Sequence, residues 1–175
     1  MFKKVALYGL AFGSVSAAML FIQYANGLYR ERNFLSALPL IANIVLPGIG
    51  VFLFIRSISQ MKTAKPINMG KALFGALLVC ILVALCNVAV YQHIMLNRAD
   101  IREARLKLEY ARIEKYYNSD STLNESKKTE SINTAKENFV KNTSVTTFGR
   151  SQFSMCLSTG MVVALLTFLR TYRKE

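Results

Sequence analysis

Residues 72–97, ALFGALLVCILVALCNVAVYQHIMLN, hold no charged side chain, and residues 98–117, RADIREARLKLEYARIEKYY, then carry charges throughout. A bilayer core of roughly 30 Å is crossed by about 20 helical residues, so the first stretch is long enough to span a membrane. The second keeps a helical period. Ile101, Ala104, Leu108 and Ala111 share one face, with Leu106, Tyr110, Ile113 and Tyr117 beside them. One helix is therefore predicted to leave the membrane at residue 96 and continue into water, projecting about 30 Å if it runs to Tyr117.

Working outward, three more stretches lack charge: 5–29, 33–55 and 151–169. The expected fold is all-α, a polytopic membrane protein with four transmembrane helices: three over 5–27, 34–55 and 72–96, and the fourth with a basic cytoplasmic tail over 151–175. A helical hairpin over 97–150 lies between the third and fourth. The start, MFKK followed by an apolar run and SVSAA, has the pattern of a cleavable signal peptide. The run continues without a polar break through MLFIQYA, so this segment is expected to be retained as a span.

The chain is 53% hydrophobic and 18% charged yet has a formal charge of +12. Topology accounts for that combination. Lys3, Lys4, Arg56, Lys62, Lys65, Lys71, Arg170, Arg173 and Lys174 fall on one side, opposed only by Glu175. The other side carries Arg30, Glu31, Arg32 and the long segment 97–150, in which both signs mix. Because the positive-inside rule weights short loops, both termini are expected to be cytoplasmic and residues 97–150 external. No nucleic-acid-binding motif accompanies the charge, so nucleic acid is excluded as a partner. The cluster from Arg56 to Lys71 is suited to the anionic headgroups of membrane lipids. Cys80, Cys86 and Cys156 lie in apolar segments with no C-x-x-C spacing and read as small packing residues.

In lipid, helices associate through close backbone approach at small residues. Steps of four place Gly9, Gly13 and Ala17 on one stripe, Ala72, Ala76, Cys80 and Ala84 on a second, and Cys156, Gly160 and Ala164 on a third. The second span has NIVLPGIGVF, residues 43–52, instead. Pro47 donates no hydrogen bond and its ring pushes on the carbonyl four residues earlier, that of Asn43. Asn43, Asn87, Ser16, Ser158 and Thr159 all fall near mid-span. A polar layer is expected there, with Asn43 and Asn87 as its hydrogen-bonded pair. Broken helices at the midplane often line cavities, so Asn43, Pro47, Gly48, Gly50, Asn87, Ser158 and Thr159 form the candidate binding set.

Beyond the third span, Asn118-Ser119-Asp120-Ser121 reads as a turn, and Thr122 with Glu125 as a capping box for a returning helix. That helix carries Ile132, Ala135 and Phe139 on its apolar face. Glu103 with Lys107 and Arg105 with Glu109 are spaced for ion pairs. Asn124-Glu125-Ser126 and Asn142-Thr143-Ser144 match the glycosylation sequon.

Reactive chemistry is sparse. The apolar segments contain no carboxylate, the usual mark of a proton-coupled transporter. His93 has no acidic, Cys or His neighbour at ligand spacing and reads as an interfacial polar residue. G-x-S-x-G, H-E-x-x-H and phosphate-cradling loops are missing. Neither an enzyme, nor a metal, nor a cofactor is expected.

The four spans, the basic loop leading through PINMGKALFGALL, and the helical excursion before the last span resemble a bacterial inner-membrane family catalogued as a domain of unknown function, number 4199. The resemblance implies a four-helix protein of the Gram-negative inner membrane and no reaction. It also implies an accessory role beside a membrane glycosyltransferase. The expected function is therefore a non-enzymatic accessory or assembly subunit of a larger inner-membrane complex. Its contact surfaces would be the hairpin and the small-residue stripes, toward other membrane subunits or a second copy. The alternative is a lipid-binding or small-solute transport protein centred on Asn43, Pro47 and Asn87.

Overall fold

In a computed structural model, the structure describes residues 1–26, 41–60 and 68–172, with side chains to Arg170. Residues 30–32, the start of the second span, Lys62, Lys65 and residues 173–175 lie outside the described residues. Among the described residues six helices follow one another: α1 (Phe2–Ala25), α2 (Leu46–Ser59), α3 (Met69–Asn97), α4 (Ala99–Asn118), α5 (Glu125–Asn142) and α6 (Val145–Tyr172). A π-helical turn, Ile41–Val45, runs directly into α2. Among the described residues there is no strand. Phe2–Ala25, Ile41–Ser59, Met69–Asn97 and Val145–Arg170 are long and apolar enough to cross a membrane. The fold is thus an all-α polytopic bundle with a helical hairpin between its third and fourth spans.

The helices overrun the limits that charge alone set. α2 continues past exposed Arg56 to Ser59, and α6 starts at Val145, ahead of exposed Arg150. A long cationic side chain near a helix end reaches the interface without ending the helix. In the opposite sense, the third span does not run unbroken into water. Arg98, at φ −119° and ψ 69°, separates α3 from α4. The break lets α4 turn Ile101 inward, where it is buried with Tyr24, Tyr91 and Ile94. Arg102 Nη1 donates to the carbonyl of Met95 at 3.3 Å, satisfying an acceptor in the last turn of α3.

α3 is the central element and packs against α1, α2 and α6. All ten small residues of the three stripes are buried: Gly9, Gly13, Ala17, Ala72, Ala76, Cys80, Ala84, Cys156, Gly160 and Ala164. They are used inside one chain, which removes them as contact surfaces for another protein. A Cβ on Gly160 would collide with Cys80 Sγ, so α6 meets the small-residue face of α3 directly. α1 packs differently. A Cβ on Gly9 would stand 2.6 Å from Leu82 Cδ1, and one on Gly13 2.8 Å from Cys86 Sγ and 3.3 Å from Val83 Cα. The α1 glycines therefore receive larger knobs from a second face of α3. Phe54 of α2 closes the core against Gly75 and meets Tyr8 edge-on, ring centroids 6.4 Å apart. At the end away from the hairpin, Lys4 Nζ donates to Ser57 O at 2.5 Å. A cation there complements the negative end of the α2 dipole.

The hairpin is held by different means. α4 buries only Ile101 and α5 buries no residue. Ion pairs Lys136–Glu114 at 2.5 Å, Arg112–Glu109 at 2.6 Å and Lys128–Glu125 at 3.2 Å decorate it. The pairs expected four residues apart do not form: Glu109 takes Arg112 instead, and Arg105 turns to the bundle. The cap also differs. Asn124 is the N-cap of α5, its Oδ1 accepting from Lys127 N at 2.9 Å, while Thr122 donates to Asp120 Oδ1 through both N–H and hydroxyl. Asn at the cap satisfies a free helical N–H as well as Thr would, and it stands one residue before the helix.

Candidate functional site

Two polar constellations stand out, one inside the bundle and one at the base of the hairpin. The inner one is built around the π turn. In a regular helix residue 47 would bond the carbonyl of Asn43, and proline has no N–H to offer. The π turn widens the helix just before Pro47, and two other spans supply donors. Ser16 Oγ of α1 donates to Ala42 O at 2.8 Å, and Cys156 Sγ of α6 approaches Asn43 O at 3.8 Å. Beside them, Asn87 Nδ2 donates to Asn43 Oδ1 and to Gln152 Oε1, each at 3.1 Å. The expected Asn43–Asn87 pair forms, and Asn87 is fully buried. Its Oδ1 has no partner among the described residues. All four spans contribute a group, so this cluster fixes the rotation of each helix about its own axis.

The remaining predicted residues separate. Pro47 is buried in the core. Gly50 lies against the ring of Phe12, 3.2 Å from where its Cβ would stand. Ser158 does not join the layer: it is exposed, and its hydroxyl donates to Ser154 O of its own helix at 2.7 Å. Thr159 is also outside the layer. With Gly48, Ile44, Val45, Ile49, Phe52 and Val163 it lines an open apolar groove of about 390 Å³ between α2 and α6. The candidate binding set is therefore divided between the bundle interior and its outer surface. Gln152, which the polar layer needs, was missed. It lies one step of four before Cys156, so extending the α6 stripe backward finds it.

The second constellation centres on Arg105 of α4. Its Nη1 donates to Tyr24 OH at 3.1 Å and to Tyr91 OH at 3.4 Å. Its guanidinium carbon lies 5.1 Å from the Tyr24 ring centroid and 5.6 Å from that of Phe139. Such cation–π contacts contribute about 0.5–2 kcal/mol each, more when desolvated. Tyr91 in turn donates to Thr143 O at 2.6 Å and stacks on Phe148 with centroids 3.8 Å apart. Side chains or carbonyls from α1, α3, α4, α5, α6 and the short α5–α6 link converge here. The spacing offers Arg105 an ion pair with Glu109, and the structure instead half-buries it against the bundle. The tyrosines are spaced four and three residues from other buried positions on their helices, the one available signal.

Exposed His93 contacts Asn97 Nδ2 through Nδ1 at 3.1 Å and pairs with no carboxylate among the described residues. Among the described residues no group of three His, Cys, Asp or Glu side chains is placed to hold a metal. Outside the spans, the Arg98 guanidinium hydrogen-bonded to Asp100 holds that carboxyl below its ordinary range. The chemistry offered by the two constellations is amide hydrogen bonding at mid-span and cationic recognition at the hairpin base.

These features define a four-span helical membrane protein with a polar interlock in the bundle and an aromatic–arginine joint below an extramembrane hairpin. No family model, curated protein or solved structure matches the chain.

Proposed function

We propose that the protein is a non-enzymatic membrane subunit that attaches to a larger complex of the bacterial inner membrane through its hairpin. The observation that carries this reading is that α5, 18 residues long, buries no side chain although Ile132, Ala135 and Phe139 lie along it. An open groove of about 580 Å³ between α4 and α5 presents Ile113, Tyr117, Ala135 and Phe139, edged by Glu109 and Glu130. An amphipathic helix gains most of its stability from covering such a face. The occupant is another membrane subunit, a membrane glycosyltransferase being the partner that the family resemblance implies, with a second copy as the other possibility. The excess of Lys3, Lys4, Arg56, Lys71 and Arg170 at the end away from the hairpin supports cytoplasmic termini and a periplasmic hairpin.

The test is purification at native expression level in mild detergent, followed by mass spectrometry, for wild type and an Ile113→Lys/Ala135→Lys variant. A stoichiometric protein recovered with wild type and lost from the variant is the expected result. Unchanged composition would overturn the reading. The alternative, a lipid or small-solute site, is supported by the Gly48–Thr159 groove in the membrane zone. It predicts a lipid retained by wild type and displaced by Gly48→Leu.

A further inference from the structure

Arg98, Arg102 and Arg105 follow the break after α3 at helical steps of four and three, so they share one side of the first turns of α4. They come within eight residues of Asn97, the last residue of the third span, and the ends of membrane spans are where phospholipid headgroups meet protein. Their charges are compensated unequally. Arg98 is paired with Asp100 at 2.9 Å. Arg102 touches only the Met95 carbonyl, and neither it nor Arg105 makes an ion pair among the described residues.

Arg105 is the best organised of the three. Two tyrosine hydroxyls hold its Nη1, and the Tyr24 and Phe139 rings lie within 5.6 Å of its guanidinium carbon, so its direction is set before any ligand arrives. Nε and Nη2 make no hydrogen bond among the described residues. The acceptors of Arg105 are two tyrosine hydroxyls, which hydrogen-bond it without pairing a carboxylate to it. The guanidinium is half-buried with no carboxylate paired to it among the described residues, an arrangement that an anion improves. A planar fork with paired free N–H groups matches phosphate oxygens, and a fork already oriented loses little entropy on binding. The dipole at the start of α4 adds positive potential on the same side.

We propose that Arg102 and Arg105 form a binding site for a phosphate group, with Tyr24 and Tyr91 as positioning residues for Arg105. The phosphate comes from an anionic phospholipid headgroup or from a soluble phosphate anion. Native mass spectrometry of the full chain in mild detergent distinguishes these. The added probes are phosphatidylglycerol, diacylglycerol with the same acyl chains, and inorganic phosphate. A preference of at least fivefold for phosphatidylglycerol over diacylglycerol assigns the lipid source. Adducts with inorganic phosphate alone assign the soluble source. Equal binding of the two lipids with no phosphate adduct overturns the site. Arg102→Gln/Arg105→Lys should bring the preference down to what the separate basic cluster from Arg56 to Lys71 sustains, measured as the residual preference of this variant over an additional Arg56→Gln/Lys71→Gln change. Arg102→Gln alone, an exposed position, should at least halve the wild-type preference without loosening the hairpin. Full retention of the preference in both variants would equally overturn the proposal.

Discussion

The bundle and the hairpin are both antiparallel helical assemblies, and they cohere by opposite means. In the bundle, glycine and alanine bring backbones together until a single added methyl would collide, as at Gly160 on Cys80 and Gly9 on Leu82. In the hairpin, α5 buries nothing, and the two helices are joined through the surface ion pair Lys136–Glu114 and the joint at Arg105. The contrast follows from the solvents. Lipid supplies no hydrophobic drive between apolar helices, so shape fit must. Water would supply that drive, but the hairpin has few apolar side chains to use it, and exposed ion pairs add only about 0–1 kcal/mol. Stability is concentrated in the spans, and uncovered surface is left on the arm.

The sharpest break in this comparison comes from filling a close approach. Gly160→Leu drives a side chain into α3 and is expected to cost about 3 kcal/mol or more, enough to lose the folded species. Gly48→Ala, whose Cβ would meet Val163 at 3.4 Å and Thr159 at 3.6 Å in ordinary van der Waals contact, should be nearly neutral. Thermal unfolding in detergent by circular dichroism compares the two. Equal melting temperatures would mean that the stripes do not pack within the chain. Next in size is Asn87→Leu, which strands the Asn43 and Gln152 side chains without their shared donor. A loss of about 2 kcal/mol is expected. Restoration by the matched triple replacement with leucine would show the cluster to be an interlock and not a ligand site.

Much of the bundle was legible because its signals are local. Exclusion of charge marked four spans, and steps of four marked stripes that prove to be buried throughout. The Asn43–Asn87 pair was legible for a related reason, since two amides at one depth in lipid must find each other. What escaped depends on relative placement. Ser158 and Gln152 lie on the same helix at similar polarity, and only the rotation of α6 decides that Gln152 points inward and Ser158 outward. Arg105 had Glu109 at good spacing, yet Tyr24, 81 residues away in sequence, holds it. The break at Arg98 was hidden because a helical pattern continues through it and only tertiary packing of Ile101 explains the bend.

The joint between the two regions offers a smaller effect with a clean readout. Tyr91→Phe keeps the stack on Phe148 but removes the donor to Thr143 O and the acceptor for Arg105. About 1 kcal/mol should be lost locally. Limited trypsin cleavage at Lys127 and Lys128 is expected to quicken severalfold while the bundle melts as wild type does. A parallel fall in bundle stability would show that joint and bundle unfold together.

The smallest expected effect lies at the hairpin tip. Hydrogen bonds from the Thr122 hydroxyl and N–H hold the Asp120 carboxyl below its ordinary range. A carboxylate whose folded pKa is depressed stabilises the turn at every pH above its unfolded value, and that contribution is lost as pH falls through the folded one. The turn should therefore be indifferent to pH from neutrality down to the ordinary carboxylate range and loosen only beneath it. Amide chemical shifts of Thr122 measured by NMR against pH report the transition. A midpoint at or above the ordinary carboxylate value would show that these bonds do not hold the tip. The folded hairpin would then depend on its base at Arg105 and on whatever covers the α4–α5 groove.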